Sequence, residues 1–292
     1  MSLYREESME RIGVVGCGLM GSGIAEVCAR KDLEVTVVEF DQGSLDRGRS
    51  RIETSLGRAV RAGKLEKDVS DRIFETIKFT TSLDDLADRD LVIEAIVEDE
   101  AAKVEIFERL DKVVISDTAI LASNTSSIPI MKLGVATSRP ANVIGIHFFN
   151  PVPVLPLVEL VSSLLTSPET VARAQEFAAN ALSKKVVHSK DRAGFIVNAL
   201  LIPYILSAIR MLESGFATAN DIDTGMVEGC AHPMGPLALC DLIGLDTTMA
   251  VANSLYEEFK EQLYAPPSLL LRMVEAGLLG RKSGRGFYNY AK

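Results

Sequence analysis

The fold is decided by the stretch Ile12-Gly13-Val14-Val15-Gly16-Cys17-Gly18-Leu19-Met20-Gly21, near the start of the chain. Its first residues form a β-branched run of strand length, and the pattern GxGxxG follows at once. Residues 22–31, behind the last glycine, suit a helix, and residues 35–39 are a second β-branched run. Strand, glycine-rich turn, helix and strand in this order predict the first βαβ unit of a Rossmann domain.

The glycine turn predicts a bound dinucleotide. Gly16 permits the tight turn, Gly18 lets the backbone approach a pyrophosphate, and Gly21 lets the helix pack closely on the strand. The helix N-terminus offers free N–H groups and a positive dipole end to the phosphates. Glu39, eighteen residues beyond Gly21, would accept hydrogen bonds from ribose hydroxyls and repel a 2′-phosphate, so we expect NAD rather than NADP. The cofactor residues of this turn and strand are Gly16, Gly18, Leu19, Met20, Gly21 and Glu39.

Strand-like and helix-like segments alternate through about the first 190 residues. Residues 90–96, 119–123 and 143–149 are apolar runs of strand length, separated by helical patterns such as residues 100–110. Near-continuous apolar strands with intervening helices predict a parallel sheet covered on both faces. We therefore predict an α/β fold: a doubly wound, NAD-binding domain over residues 10–190.

The remainder, residues 191–292, is predicted to be an all-helical domain. A long apolar helical pattern covers residues 194–213, interrupted by Pro203, and further helices are expected at residues 221–228, 236–242, 246–259 and 268–276. The first helix carries more apolar residues than one small bundle needs, namely Ile202, Ile205, Leu206, Ile209 and Leu212. We therefore expect a homodimer formed through this domain.

Composition narrows the class of protein. The chain has 292 residues, 47% hydrophobic and 24% charged, with no apolar run long enough for a membrane helix. The net charge of −9 argues against nucleic acid as a partner. Residues 1–10 are polar, contain no signal-peptide core and are left out of the fold prediction. Four cysteines without CxxC spacing indicate reduced, buried thiols and a cytoplasmic protein, and three histidines without a Cys/His cluster indicate no metal site.

One basic stretch departs from the acidic balance. Residues 47–67 contain seven basic residues against the two acids Glu53 and Glu66. This run is either a solvated helix face or a binding surface for a phosphate-rich ligand.

The catalytic candidates lie on two apolar strands. His147 lies near the end of residues 143–149, and ligands of open α/β sheets bind beyond the carboxyl ends of strands. Glu159 is the one acid in the strand-like run 156–161, where a carboxylate is costly to bury without a partner. Pairing the two explains both positions, although a histidine in an apolar run can also be an ordinary core residue. An imidazole suits proton transfer at neutral pH, and a carboxylate on its other nitrogen fixes the tautomer.

Polar groups for a substrate oxygen follow another strand. The loop Asn124-Thr125-Ser126-Ser127 supplies hydroxyl and amide donors, although serine-rich loops also serve simply as helix caps. Of the other histidines, His188 is expected at the surface or at a strand end, and His232 begins a turn.

Several motifs together resemble one known family. They are the GxGxxG turn, Ala122-Ser123-Asn124-Thr125-Ser126-Ser127, His147-Phe148-Phe149-Asn150-Pro151, Gly194-Phe195-Ile196-Val197-Asn198, His232-Pro233-Met234-Gly235-Pro236 and Gly284-Arg285-Gly286-Phe287-Tyr288. In this order they resemble the 3-hydroxyacyl-CoA dehydrogenases, most closely the bacterial 3-hydroxybutyryl-CoA dehydrogenases, and the resemblance covers about residues 10–290.

The resemblance implies a role for particular residues. His147 matches the catalytic base and Glu159 the carboxylate that orients it. Ser126 and Asn198 match the residues that contact the reacting oxygen, which would place the active site between the domains. Further cofactor contacts match Glu98, Lys103, Asn150 and Lys282, in addition to Glu39. Ser55 matches a serine that contacts coenzyme A; the family's CoA lysine aligns with Ala62 here, so Lys64 or Arg61 would replace it.

The sequence therefore predicts reversible oxidation of (S)-3-hydroxyacyl-CoA, with an acyl-CoA substrate and NAD as hydride acceptor. Two alternatives stay open. One is an NAD-dependent dehydrogenase of a non-CoA hydroxy acid or sugar acid on the same scaffold. The other is an NAD-sensing protein without turnover, which would need no buried His–Glu pair.

Overall fold

The computed structural model describes residues 9–290, which form two compact units that divide between Asp191 and Arg192. Residues 1–8 belong to the N-terminal segment set aside above and lie outside the described residues. Met9, which was set aside with them, is buried in the core of the first unit. The fold thus begins slightly before the first predicted strand.

The first unit is built around one eight-stranded sheet. Its strands are β1 (Arg11–Val15), β2 (Glu34–Val38), β3 (Ile77–Thr80), β4 (Leu91–Glu94), β5 (Ile120–Ser123), β6 (Val143–Phe148), β7 (Leu157–Ser162) and β8 (Lys185–Lys190). Its helices are α1 (Leu19–Ala29), α2 (Gln42–Arg61), α3 (Lys67–Glu75), α4 (Glu100–Val113), α5 (Ile130–Val135) and α6 (Pro168–Glu176). The strand order β3-β2-β1-β4-β5-β6-β7-β8 confirms the doubly wound fold.

The order of the strands determines where a ligand can bind. β1, β2, β4, β5 and β6 are parallel, so their carboxyl ends share one edge of the sheet. The chain leaves β1 toward β2 on one side and later places β4 on the other, which creates the crevice between β1 and β4. Four predicted features lie at this edge: the glycine turn after β1, Glu39 after β2, the 124–127 loop after β5, and the end of β6.

Two strands contradict the prediction of a parallel sheet, namely β7 and β8, which is parallel to β7. β7 runs antiparallel to β6, because residues 149–156 are too few for a crossover helix. In the resulting register His147 lies directly opposite Glu159.

Two edge strands were not predicted from the sequence. β3 has only four residues, and β8 has the polar sequence Lys-Val-Val-His-Ser-Lys, with no fully buried residue. Short strands and charged side chains are typical of sheet edges, and they weaken the apolar pattern on which strand prediction depends. His188 is exposed on β8, as expected.

The second unit is helical, with α7 (Val197–Glu213), α8 (Ala219–Cys230), α9 (Pro236–Ile243), α10 (Leu245–Phe259) and α11 (Ser268–Glu275). Pro203 does not interrupt α7, which continues through it. The helix begins three residues later than predicted because Gly194 and Phe195 have positive φ angles and form a turn. Four of the five apolar residues expected to be surplus, all except Leu212, are fully buried in this unit's own core.

The thiols depart in one position from the prediction. Cys17, Cys28 and Cys240 are buried, whereas Cys230 at the end of α8 is exposed, and all four are free. Burial raises the pKa of the Cys17 thiol to about 12, so this cysteine of the glycine turn is unreactive. Across residues 9–290, no helix combines the length and apolar character needed to cross a bilayer.

Candidate active site

The three glycines of the turn differ in what surrounds them: two are packed against backbone atoms and one borders open space. Gly16 has a φ of 94°, and a Cβ there would lie 2.6 Å from the Ala95 carbonyl oxygen. A Cβ on Gly21 would meet the Gly16 carbonyl oxygen at 1.8 Å, so this glycine is required for packing of the turn on α1. At Gly18, by contrast, a Cβ would meet no atom of the described residues within 4 Å. Gly18 is therefore not required for internal packing, and its missing side chain lets a ligand approach the backbone closely.

Glu39 closes the other side of this turn. One of its carboxylate oxygens accepts a hydrogen bond from the Cys17 backbone N–H at 2.5 Å, which joins the end of β2 to the glycine turn. The side chain is only partly buried, so it retains acceptor capacity toward solvent. An open N-terminus on α1 with a carboxylate beside it fits the pyrophosphate and ribose of NAD.

His147 and Glu159 form a buried pair. The Nδ1 of His147 lies 2.8 Å from Glu159 Oε2, and Glu159 is 0% exposed. The two residues are cross-strand neighbours of β6 and β7, so the sheet itself fixes their distance. The His147 ring also contacts the Phe149 ring, at 4.6 Å between centroids. The carboxylate thereby occupies Nδ1 and directs Nε2 to the role of proton acceptor or donor.

The 124–127 loop is attached to the strand that carries His147. Asn124 Oδ1 accepts a hydrogen bond from the Phe148 N–H at 2.9 Å, immediately after His147. Its own N–H donates to the Glu94 carbonyl at 2.9 Å. Asn124 is therefore used internally. Ser126 and Ser127 are both partly exposed, and their hydroxyls donate to Glu98 Oε1 at 3.4 and 2.9 Å.

Glu98 accepts hydrogen bonds from three consecutive residues of this loop. Its Oε1 accepts hydrogen bonds from Thr125 Oγ1 at 2.5 Å, from the Ser126 N–H at 2.9 Å and from the Ser127 N–H at 3.1 Å. Burial alone would raise the pKa of Glu98, but the Lys103 ammonium and these donors hold that pKa below its ordinary value. Glu98 is thus a carboxylate at neutral pH.

Lys103 and Glu94 continue this cluster into the interior. Lys103 is 1% exposed, and its Nζ lies 2.5 Å from Glu94 Oε1 and 3.3 Å from Glu98 Oε2. The family resemblance implies a cofactor contact for Lys103 and no role for Glu94. Glu94 could have been found by the argument used for Glu159, since it is a single acid within an apolar strand.

The basic stretch is divided between several environments. Arg47, Arg51 and Arg58, on one face of α2, line a shallow depression of about 450 Å³ together with Asp46, Ser50 and Thr54. Arg49 instead packs over the Phe74 and Phe79 rings. Neither Ser55, half-buried on an adjoining face of the helix, nor Lys64, exposed beyond its end, lines the depression.

The remaining predicted residues lie at three separate places. Asn150 is exposed just after β6, at the same sheet edge as the glycine turn. Asn198 is the second residue of α7 and partly buried in the second unit. Lys282, also in the second unit, is exposed, and its Nζ lies 2.6 Å from the Asp246 carboxylate. His232, the histidine of the predicted turn, shares a hydrogen bond with Tyr204, at 3.2 Å between its Nδ1 and the tyrosine hydroxyl.

Two family models and a curated relative match most of the chain. Residues 11–192 match the family described as 3-hydroxyacyl-CoA dehydrogenase, NAD binding domain, and residues 194–290 match its C-terminal domain. A 3-hydroxybutyryl-CoA dehydrogenase of Mycobacterium tuberculosis is 61% identical over 97% of this chain and 99% of its own.

Solved structures agree with these matches. The crystal structure of M. tuberculosis FadB2 superimposes with a TM-score of 0.97 at 61% identity, covering 98% of this chain and all of that one. The (S)-3-hydroxybutyryl-CoA dehydrogenase of Ralstonia eutropha gives a TM-score of 0.92 at 45% identity, again covering 98% of this chain and all of that one.

Proposed function

The chain belongs to the 3-hydroxyacyl-CoA dehydrogenase family, and we propose from this premise that it interconverts (S)-3-hydroxybutyryl-CoA and acetoacetyl-CoA. The observation that carries the proposal is the buried His147–Glu159 pair, near the carboxyl end of β6 in a domain built to hold NAD. NAD, when bound, supplies the hydride acceptor for C3 of the alcohol and, as NADH, the donor for the ketone.

His147 moves the proton that accompanies the hydride. In the oxidative direction its Nε2 accepts the proton of the C3 hydroxyl as the carbonyl forms, and in the reductive direction it returns that proton. Glu159 keeps the opposite nitrogen protonated and stabilises the imidazolium formed in oxidation. Because Glu159 is fully buried, its charge acts on the ring with little screening by water.

Donors around the substrate oxygen complete the reaction site. Ser126 supplies a hydroxyl from the loop held by Glu98, and Asn198 supplies an amide from the start of α7. We assign the cofactor to Gly16, Gly18, Leu19, Met20, Gly21 and Glu39, with further contacts from Glu98, Asn150 and Lys282. Lys103 is assigned to the same site through its ion pair with Glu98.

The phosphates of coenzyme A are assigned to α2. The helix carries five arginines on a protein whose net charge is −9, and Arg47, Arg51 and Arg58 border an open depression. Guanidinium groups favour phosphate through paired hydrogen bonds. Ser55, on an adjoining face, and Lys64 are close enough along the chain to add contacts at the border of this site.

A spectrophotometric comparison tests the proposal. NADH oxidation is followed with acetoacetyl-CoA and then with free acetoacetate, and we expect a kcat/KM larger by at least ~10²-fold for the thioester, because coenzyme A contributes binding energy. Equal values would favour a dehydrogenase of free hydroxy acids. NADH binding without turnover of either compound would favour a sensor. His147→Gln should lower kcat by ~10²- to 10⁴-fold with NADH affinity nearly unchanged.

We also propose a homodimer formed through α7 and a cytoplasmic location. Leu200 and Met211 are exposed on one face of α7, eleven residues apart, and Phe216 just beyond the helix is 80% exposed. An apolar stripe of this kind favours a symmetric helix contact. Sedimentation of Leu200→Glu as a monomer, against a wild-type dimer, tests the surface. The buried free thiols suit a reducing compartment.

A further inference from the structure

Glu94, Lys103 and Glu98 form a continuous set of charged contacts, which we call the acid–lysine–acid network. Glu94 is the last residue of β4 and is 0% exposed, and Lys103 lies in the first turns of α4. The lysine Nζ joins the two carboxylates at 2.5 and 3.3 Å. Removing charges from water is unfavourable, and their mutual attraction offsets this only where hydrogen bonds complete the site.

The inner end of the network is fixed by the sheet. Glu94 Oε2 accepts a hydrogen bond from Ser123 Oγ at 2.6 Å, and Glu94 Oε1 accepts one from the Ile96 N–H at 2.7 Å. Glu94 and Ser123 are neighbours in the register of β4 and β5. The inner carboxylate therefore cannot move without disturbing two strand ends.

The outer end of the network holds the loop that carries Ser126. Glu98 accepts hydrogen bonds from residues 125, 126 and 127, so its position determines theirs. Lys103, at 1% exposure, offers almost no surface to a ligand and acts by locating Glu98 relative to Glu94. The sheet thus fixes the position of the loop through one buried cation, Lys103.

We propose that Glu94 is a positioning residue of the reaction: it fixes Lys103, through Lys103 it fixes Glu98, and so it holds Ser126 where the substrate oxygen binds. This inference rests on the proposed function of Ser126. It assigns to Glu94 a kinetic effect that a purely structural buried acid would not have.

The test measures kcat per active site in Glu94→Gln, with sites counted by NADH titration and acetoacetyl-CoA as substrate. We expect kcat to fall ~10- to 100-fold, since a displacement of about 1 Å has effects of this size. The matched control is Glu26→Gln: Glu26 is also buried and pairs with a cation, Arg30, at 2.6 Å, but lies on α1 away from the loop. Its kcat per site should stay within about threefold of wild type.

A double-mutant cycle separates positioning from general damage. If Glu94 acts through Ser126, the variant Glu94→Gln/Ser126→Ala should be within about twofold of Ser126→Ala alone. Losses that multiply would overturn the proposal, as would a Glu94→Gln enzyme with lowered Tm but wild-type kcat per site. Should Glu94→Gln not fold, Glu94→Asp keeps the charge but withdraws the carboxylate from Lys103 by one methylene, and it should lower kcat about fivefold. An inactive wild-type enzyme that still binds NADH would instead refute the proposed function.

Discussion

Replacing Glu159 by glutamine is the most informative single change in the site. The side chain keeps its size and its buried position on β7, but the negative charge 2.8 Å from His147 Nδ1 is removed. The antiparallel register that holds the two residues opposite each other is unaffected, because it depends on the backbone. The variant therefore isolates the contribution of charge from that of geometry.

The magnitude follows from the kind of contact that is lost. A hydrogen bond to a charged group contributes roughly 1.5–3 kcal/mol, against about 1 kcal/mol for a neutral one. With the glutamine oxygen on Nδ1 a neutral hydrogen bond remains, so roughly 0.5–2 kcal/mol is lost from the transition state, where the imidazolium forms, and kcat falls by about 2- to 30-fold. If the glutamine amide turns its NH₂ toward Nδ1, the ring takes the wrong tautomer and the loss approaches ~10⁴-fold.

The assay is acetoacetyl-CoA reduction at saturating NADH, with NADH affinity measured separately by fluorescence. We expect the whole effect in kcat and a Kd for NADH within about twofold of wild type, because Glu159 pairs with His147 across β6 and β7. The control Glu26→Gln removes another buried carboxylate and should leave kcat unchanged. A Glu159→Gln enzyme with more than half the wild-type kcat would refute the assigned role.

Four further substitutions test the cofactor side. Gly18→Ala should keep a Tm within about 2 °C of wild type, while its Kd for NADH rises at least ~10-fold. Gly21→Ala, whose new Cβ clashes with Gly16, should instead lower the Tm strongly. Thermal melting and NADH titration distinguish the two variants. Glu39→Ala should raise the Kd for NADH about tenfold and leave that for NADPH unchanged or lower, and equal weakening of both would contradict the ribose assignment. Glu98→Gln removes a carboxylate with a lowered pKa, whose stabilisation is present above the ordinary value of 4.5 and is lost as pH falls through the lower folded-state pKa. Wild-type Tm, followed by circular dichroism, should therefore fall more steeply than that of the variant between about pH 5 and 3, and parallel curves would contradict this.

The sequence predicted those parts of the fold whose signal is local. The glycine turn, the acid at the end of β2 and the apolar strands β4, β5 and β6 each carry their pattern in a few consecutive residues. β3 and β8 were missed because polar and charged residues interrupt their apolar pattern, and Pro203 was overestimated as a helix breaker. The reversed direction of β7 could have been inferred from the short connection after His147.

Site residues could be predicted where a charged side chain stands in an otherwise apolar segment. An acid in an apolar strand indicated Glu159 and should equally have indicated Glu94. The distribution of the arginines could not be predicted, since Arg49 packs on two aromatic rings while Arg47, Arg51 and Arg58 border an open depression. Adjacent helical positions face different directions, and only tertiary packing decides which are available to a ligand.

A crystal structure with NAD and acetoacetyl-CoA bound measures the decisive distance, from His147 Nε2 to the 3-oxo oxygen of the substrate. We expect about 2.6–3.2 Å, with Glu159 still on Nδ1 and the Ser126 hydroxyl on the same oxygen. An oxygen held by another acid, with the His147 ring out of hydrogen-bonding reach, would contradict it.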